Sequence, residues 1–211
     1  MIKRGTILIA LGCVLICAAA ALSGYNLYEG SRAGSASRET VTYLTQVIPA
    51  PAAQTPETEL LPPEETEIPD YLLDPSREMP VLHYNGNDYI GTLSIPALGL
   101  ELPVISEWSY PALRVAPCRY TGSAYSGGLV IAAHNYKAHF GDLSALNAGD
   151  AITFTDIDGN SFSYKVAAKE TLPPTAVEEM RAGNWPLTLF TCTIGGSYRV
   201  SVRCESASEL N

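Results

Sequence analysis

Residues 187–204 read LTLFTCTIGGSYRVSVRC. Leu187 to Ile194 and Ser197 to Arg203 are rich in β-branched and apolar residues, which suit a pleated, half-buried surface. Gly195-Gly196 between them reads as a two-residue hairpin loop, because primed turns need φ > 0. In that register Ile194 pairs with Ser197, Thr193 with Tyr198, and Cys192 with Arg199. Opposed residues on one face have Cβ atoms roughly 4.5–5.5 Å apart, so a thiol and a guanidinium share one patch. Val200, Val202 and Cys204 fall on the other face with Leu187 and Leu189, the expected core side. Arg203 also lies on the Cys192 face and rivals Arg199 as the cation beside the thiol, but it falls two pairs further along, opposite Thr188, so Arg199 is preferred. A bulge at the turn would shift the register and break the pairing.

The text before this hairpin is also strand-like. YIGTLSIPALGLELPVI (89–105) gives two short strands punctuated by Pro96 and Gly99, and GGLVIAA (127–133) is a buried strand leading into His134. AITFTD (151–156), a turn around Asp158-Gly159-Asn160, and SFSYKVAAK (161–169) form a hairpin. One short helix is expected within residues 139–150. A second is expected over 175–183, with Thr175 and Glu178 as a capping box and Gly183 closing it. Strands joined by short helices, without a βαβ repeat, predict a mainly β fold, a closed or nearly closed barrel.

At the other end, MIKR precedes GTILIALGCVLICAAAALSG, and no charge occurs between Arg4 and Glu29. About 20 apolar residues span a bilayer as a helix, and Lys3 and Arg4 place the N-terminus in the cytoplasm. Cleavage after the small residues Ala18-Ala19-Ala20 is the alternative, a signal peptide; the run is long for one. The expected organisation is therefore a cytoplasmic tip and transmembrane anchor over 1–24 and a juxtamembrane helix over 25–47, interrupted near Gly34. A Pro/Glu-rich linker over 48–80 and a globular domain over 81–211 complete it.

The net charge of −9 excludes nucleic acid as a partner, since no basic stripe exists to neutralise phosphates. Of five cysteines, Cys13 and Cys17 fall in the apolar run, leaving Cys118, Cys192 and Cys204 outside the cell. An odd number in an oxidising compartment leaves at least one unpaired. A Cys118–Cys204 disulfide is open from sequence. No pair of Cys or His residues in the exported part has close ligand spacing, so neither metal nor cofactor is expected.

Three histidines occur. His83, in the leading segment, and His139, in a loop, read as ordinary exposed side chains. His134 stands where a core strand surfaces. A thiol with pKa near ~8.5 is mostly protonated at neutral pH. A histidine can take its proton, and a guanidinium both favours the thiolate and holds a developing oxyanion. Cys192, His134 and Arg199 thus supply a nucleophile, an acid/base and an electrostatic stabiliser.

TLFTC (188–192) matches the TLxTC signature of the sortases, with Arg199 on the following strand. VIAAHNY (130–136) resembles their strand-histidine segment, and GTLSIPALGLELPV (91–104) resembles the opening hairpin of their barrel. The resemblance covers roughly residues 81–204, and the anchor and spacer fit it. It implies an eight-stranded barrel and a thioacyl-enzyme chemistry in which Cys192 resembles the nucleophile that attacks an LPxTG-like sorting signal. His134 looks like the acid/base, and Arg199 like the arginine that steadies the tetrahedral intermediate. The implied partners are surface proteins bearing that signal and an amine from peptidoglycan precursor or pilin, at a Gram-positive cell membrane. Asp74-Pro75 is similar to the lid motif of pilin-polymerising members, with Ser76 in place of the aromatic. The rival readings are another cell-wall cysteine peptidase and a non-catalytic anchored binding module.

Overall fold

A computed structural model describes residues 4–49, 69–183 and 185–207. Most of the expected linker, residues 50–68, lies outside the described residues. Helix α1, Arg4–Val47, is long and apolar enough in its first half to cross a membrane. It is continuous: the interruption expected near Gly34 does not occur, because its C-terminal half is held by packing on the globular domain. Ala33, Ser37, Thr40 and Leu44 are buried there, and a Cβ on Gly34 would stand 2.7 Å from that of Ala138. Tertiary contact overrides the local cost of glycine within a helix.

Beyond Pro69 a single turn, α2 (Asp70–Leu73), leads into the strands. Tyr71 stacks on Tyr125 with centroids 4.9 Å apart, and Met79 is buried in the core, so the last part of the expected linker is packed. Strands β1 (Leu82–Tyr84) and β2 (Asn87–Ile95) form a hairpin, and β3 (Leu100–Ile105) returns along β2 after the 3-10 turn Pro96–Leu98. Helix α3 (Tyr110–Leu113) precedes β4 (Cys118–Ser123) and β5 (Gly127–Ala133). Then come β6 (Ala151–Asp156), β7 (Ser161–Leu172), α4 (Val177–Arg181), β8 (Leu187–Cys192) and β9 (Arg199–Ser206).

The strand order β2-β3-β4-β5-β8-β9-β7-β6 closes through a β6–β2 pairing, an eight-stranded barrel with β1 as an appended edge. Closure depends on Gly91, at the bulge in β2, where a Cβ would collide with the Thr155 carbonyl. Apolar side chains at alternate positions fill the interior: Leu129 and Ile131 of β5, Leu187 and Leu189 of β8, Val202 and Cys204 of β9. A second cluster outside the barrel joins Leu44 of α1 to Tyr89, Ile105 and Cys118. Burying a leucine there contributes roughly 1.5–3 kcal/mol, which ties the helix to the domain.

Three expectations need correction. The β8–β9 loop is not two residues long: Gly196 N–H bonds the Thr193 carbonyl at 2.8 Å and Thr193 N–H the Tyr198 carbonyl at 2.9 Å, so the chain turns over residues 194–197. Gly195 and Gly196 have φ of 84° and 74°. The turn lengthens equally on both sides, so the register survives. Helix α4 is shorter than the capping-box pattern predicts, starting at Val177 with Ala176 as its N-cap and no side-chain cap. The helix expected within 139–150 is one 3-10 turn, Leu143–Ala145.

Candidate active site

Strands β5 and β8 run parallel, with Ala132 opposite Phe190 and Ala133 opposite Thr191. One further step in that register sets His134 level with Cys192. On the other side of β8, Cys192 pairs directly with Arg199. Three neighbouring strands therefore deliver the three sequence-selected residues to one end of the sheet's outer face. All three line a single groove of about 190 Å³.

The groove has an aromatic wall and an aliphatic one. Tyr120 meets Phe190 edge-on at 5.3 Å and Trp108 at 5.5 Å, and the Arg181 guanidinium lies over the Tyr120 ring. Val177 and Met180 of α4 also line the groove. That short helix is anchored by Arg203, the sequence rival to Arg199. Arg203 is 2% exposed. It donates to the Met180 carbonyl at 2.7 Å, to the Glu179 carbonyl at 2.5 Å, to Thr188 Oγ1 at 3.2 Å and to Glu170 at 3.0 Å. It satisfies carbonyls at the end of a helix too short to satisfy its own. Four of its five N–H donors are used in this way, and its burial keeps it away from substrate.

Electrostatics divide the thiols. Burial pushes Cys118 and Cys204 up to about 12, so both are inert, and Cys192 is the half-buried thiol that lines the groove. All are free, and Cys118 and Cys204 sit in separate core clusters. His134 is held below the usual imidazole range, chiefly by burial and secondarily by the Arg114 charge. The ring is therefore neutral near neutral pH, able to accept a proton. Arg199 donates from Nη1 to the carbonyls of Gly196 and Tyr198, at 3.0 and 3.1 Å, which braces it against its own turn.

His83 is exposed and pairs with Asp88 at 2.8 Å. His139 is not exposed as the sequence implied but fully buried. Its cover is α1, a partner 102 residues away that no local pattern reveals: Nε2 lies 3.1 Å from Ser37 Oγ. Pro75 and Ser76 line another depression, beside Arg77 and Gly122.

The sortase domain family matches residues 93–207, more than half of the chain. The chain belongs to the sortase family. It is 27% identical to sortase A of Bacillus anthracis over 177 residues, covering 81% of this chain and 80% of that protein. A Clostridium perfringens sortase C, whose X-ray structure includes the C-terminal cell wall sorting motif, is 25% identical with a TM-score of 0.51, covering 58% of this chain and 72% of that one. A second sortase C structure from that species covers 86% of this chain and 91% of its own at 22% identity and a TM-score of 0.52, a likeness of fold. Within this sortase, sequence reasoning missed the aromatic wall and Thr191. Trp108, Tyr120 and Phe190 come from three segments and meet only in the folded barrel. Thr191 was visible as the T of TLFTC, but its Oγ1 bond to the Ala133 carbonyl was not.

Proposed function

We propose that this sortase is a cysteine transpeptidase, anchored by residues 1–24 with the N-terminus cytoplasmic, and that its domain from residue 81 onward works outside the cell membrane. Residues 25–47 form the stem and 48–80 the link to the barrel. The substrate is a surface protein carrying an LPxTG-like sorting signal. The observation that supports this reading is the meeting of Cys192, His134 and Arg199 on one groove.

His134, neutral before the reaction, takes the proton of the Cys192 thiol, and Cys192 Sγ, now a thiolate, attacks the threonine carbonyl carbon of the signal. The carbonyl π electrons move to oxygen, and the Arg199 guanidinium faces the negative charge that forms there. As the intermediate collapses, the C–N bond to glycine breaks. The leaving amine takes its proton from the His134 imidazolium, leaving a thioester. An amine from peptidoglycan precursor or pilin then attacks the thioester carbon, gives its proton to neutral His134, and displaces the thiolate. The apolar walls fit an extended segment with aliphatic side chains and limit water at the thioester.

The test incubates the full chain in detergent with an LPxTG-like peptide and a short amine acceptor, and quantifies joined product against free acid. The account predicts joined product from the wild type and none from Cys192→Ala or His134→Ala. Equal yield from Cys192→Ala overturns it.

A further inference from the structure

Helix α1 does not end its role at the apolar run. Its C-terminal half lies on the loop 134–141, which begins at His134. Gly30 lies beside the Tyr136 ring, whose Cδ1 would be in ordinary contact with an added Cβ at 3.7 Å, and Gly34 lies against Ala138. One turn further, the Ser37 hydroxyl donates to the Val115 carbonyl at 3.2 Å. Its single proton is thereby used, so the contact of 3.1 Å to His139 is a ring Nε2–H donating to Ser37 Oγ. The His139 ring is fully buried and neutral, its pKa pushed down to about 4 by burial and by neighbouring His134.

The loop between these points is tightly closed. Tyr136 O accepts from the His139 and Gly141 amides at 2.9 Å, and His134 O from Phe140 N–H at 3.2 Å. The Tyr136 ring stands 4.9 Å from the His134 ring and 5.7 Å from that of His139. A contiguous path, Ser37 to His139 to Tyr136 to His134, thus links the stem helix to the groove. Stability alone is served by the apolar contact at Leu44. A buried hydroxyl–imidazole contact adds direction, since it forms in one rotation and height of the helix, while Nδ1 of His139 has no partner.

We propose that the stem of α1 is part of the active site, with Ser37 a positioning residue that acts through His139 and Tyr136 to hold the His134 imidazole level with Cys192. This rests on the proposed role of His134. It carries a geometric consequence. Gly24 to Gly34 rises about 15 Å at 1.5 Å per residue, so one rigid rod sets the height of the groove above the bilayer.

The experiment uses the full chain in detergent micelles with ¹³C in the histidine rings, where three histidines give three signals. The variants are Ser37→Ala and Gly34→Leu, with the exposed Gln46→Ala as control, and exposed His83 is the internal reference. In the wild type His139 stays neutral. In both variants His139 shifts and titrates, the His134 signal broadens or splits, and kcat for peptide transfer falls about tenfold or more. KM stays within about twofold, since the groove walls are untouched. Titrating His139 with an unchanged His134 signal and kcat overturns the proposal, as does a His139 that stays silent in both variants. A wild-type chain inactive on sorting peptides contradicts the proposed function instead, while the His134 signal still decides the positioning.

Discussion

Thr191 donates from Oγ1 to the carbonyl oxygen of Ala133, 2.8 Å away, across the parallel pair β5 and β8. Each residue immediately precedes one of the chemical pair, His134 and Cys192. The bond closes the sheet where both strands end and fixes how far the thiol stands from the imidazole. Thr191→Val keeps the shape and removes the donor. The expected result is a loss of about 1–2 kcal/mol in a urea unfolding series, typical of a buried hydrogen bond. Activity loss should fall mainly on kcat, because Thr191 lines the groove and valine keeps its shape.

Arg203 governs the opposite property. Its replacement by Met leaves the Met180 and Glu179 carbonyls without their donor and frees α4, which carries Val177 and Met180 to the groove. Stability should drop by about 1–3 kcal/mol for the stranded groups. The KM for the sorting peptide should rise several-fold, measured by initial rates over a peptide titration. A kcat change without a KM change would contradict this role.

Arg114 depresses the His134 pKa together with burial. Removing a positive neighbour favours the imidazolium, so Arg114→Gln should move the His134 titration to higher pH. The acid limb of transfer rate against pH should follow in the same direction. An NMR titration of the His134 ring checks the first point and initial rates check the second.

His139 is neutral when the stem is docked, with a pKa of about 4 against about 6.5 for an ordinary imidazole. Between those values the unfolded chain binds the proton and the folded chain does not, so stability falls as pH drops from about 6.5 towards 4. His139→Gln keeps a donor and should flatten that slope. Thermal unfolding of both chains across this range gives the comparison.

Much of this was readable from residue patterns, and the limits are physical. The pairing of Cys192 with Arg199 followed from alternation about a glycine turn, and it tolerated a wrong loop length because the extra residues fell equally on both strands. The β5 segment and the β6–β7 hairpin were legible because period-two alternation is local. Barrel closure by β6 against β2 carries no local signal. The same holds for His139, whose partner Ser37 lies 102 residues away. Arg203 looked like a second catalytic cation because a strand pattern shows the face of a side chain and not the helix laid over it.

The claim that matters most is that Cys192 is the acyl-carrying nucleophile. Intact-mass measurement of the full chain, incubated with an LPxTG-like peptide and no amine, reads it directly. The account predicts one added acyl fragment, mapped to Cys192 after proteolysis, released by hydroxylamine, and absent from Cys192→Ala. An adduct on any other residue, or turnover persisting in Cys192→Ala, would contradict it.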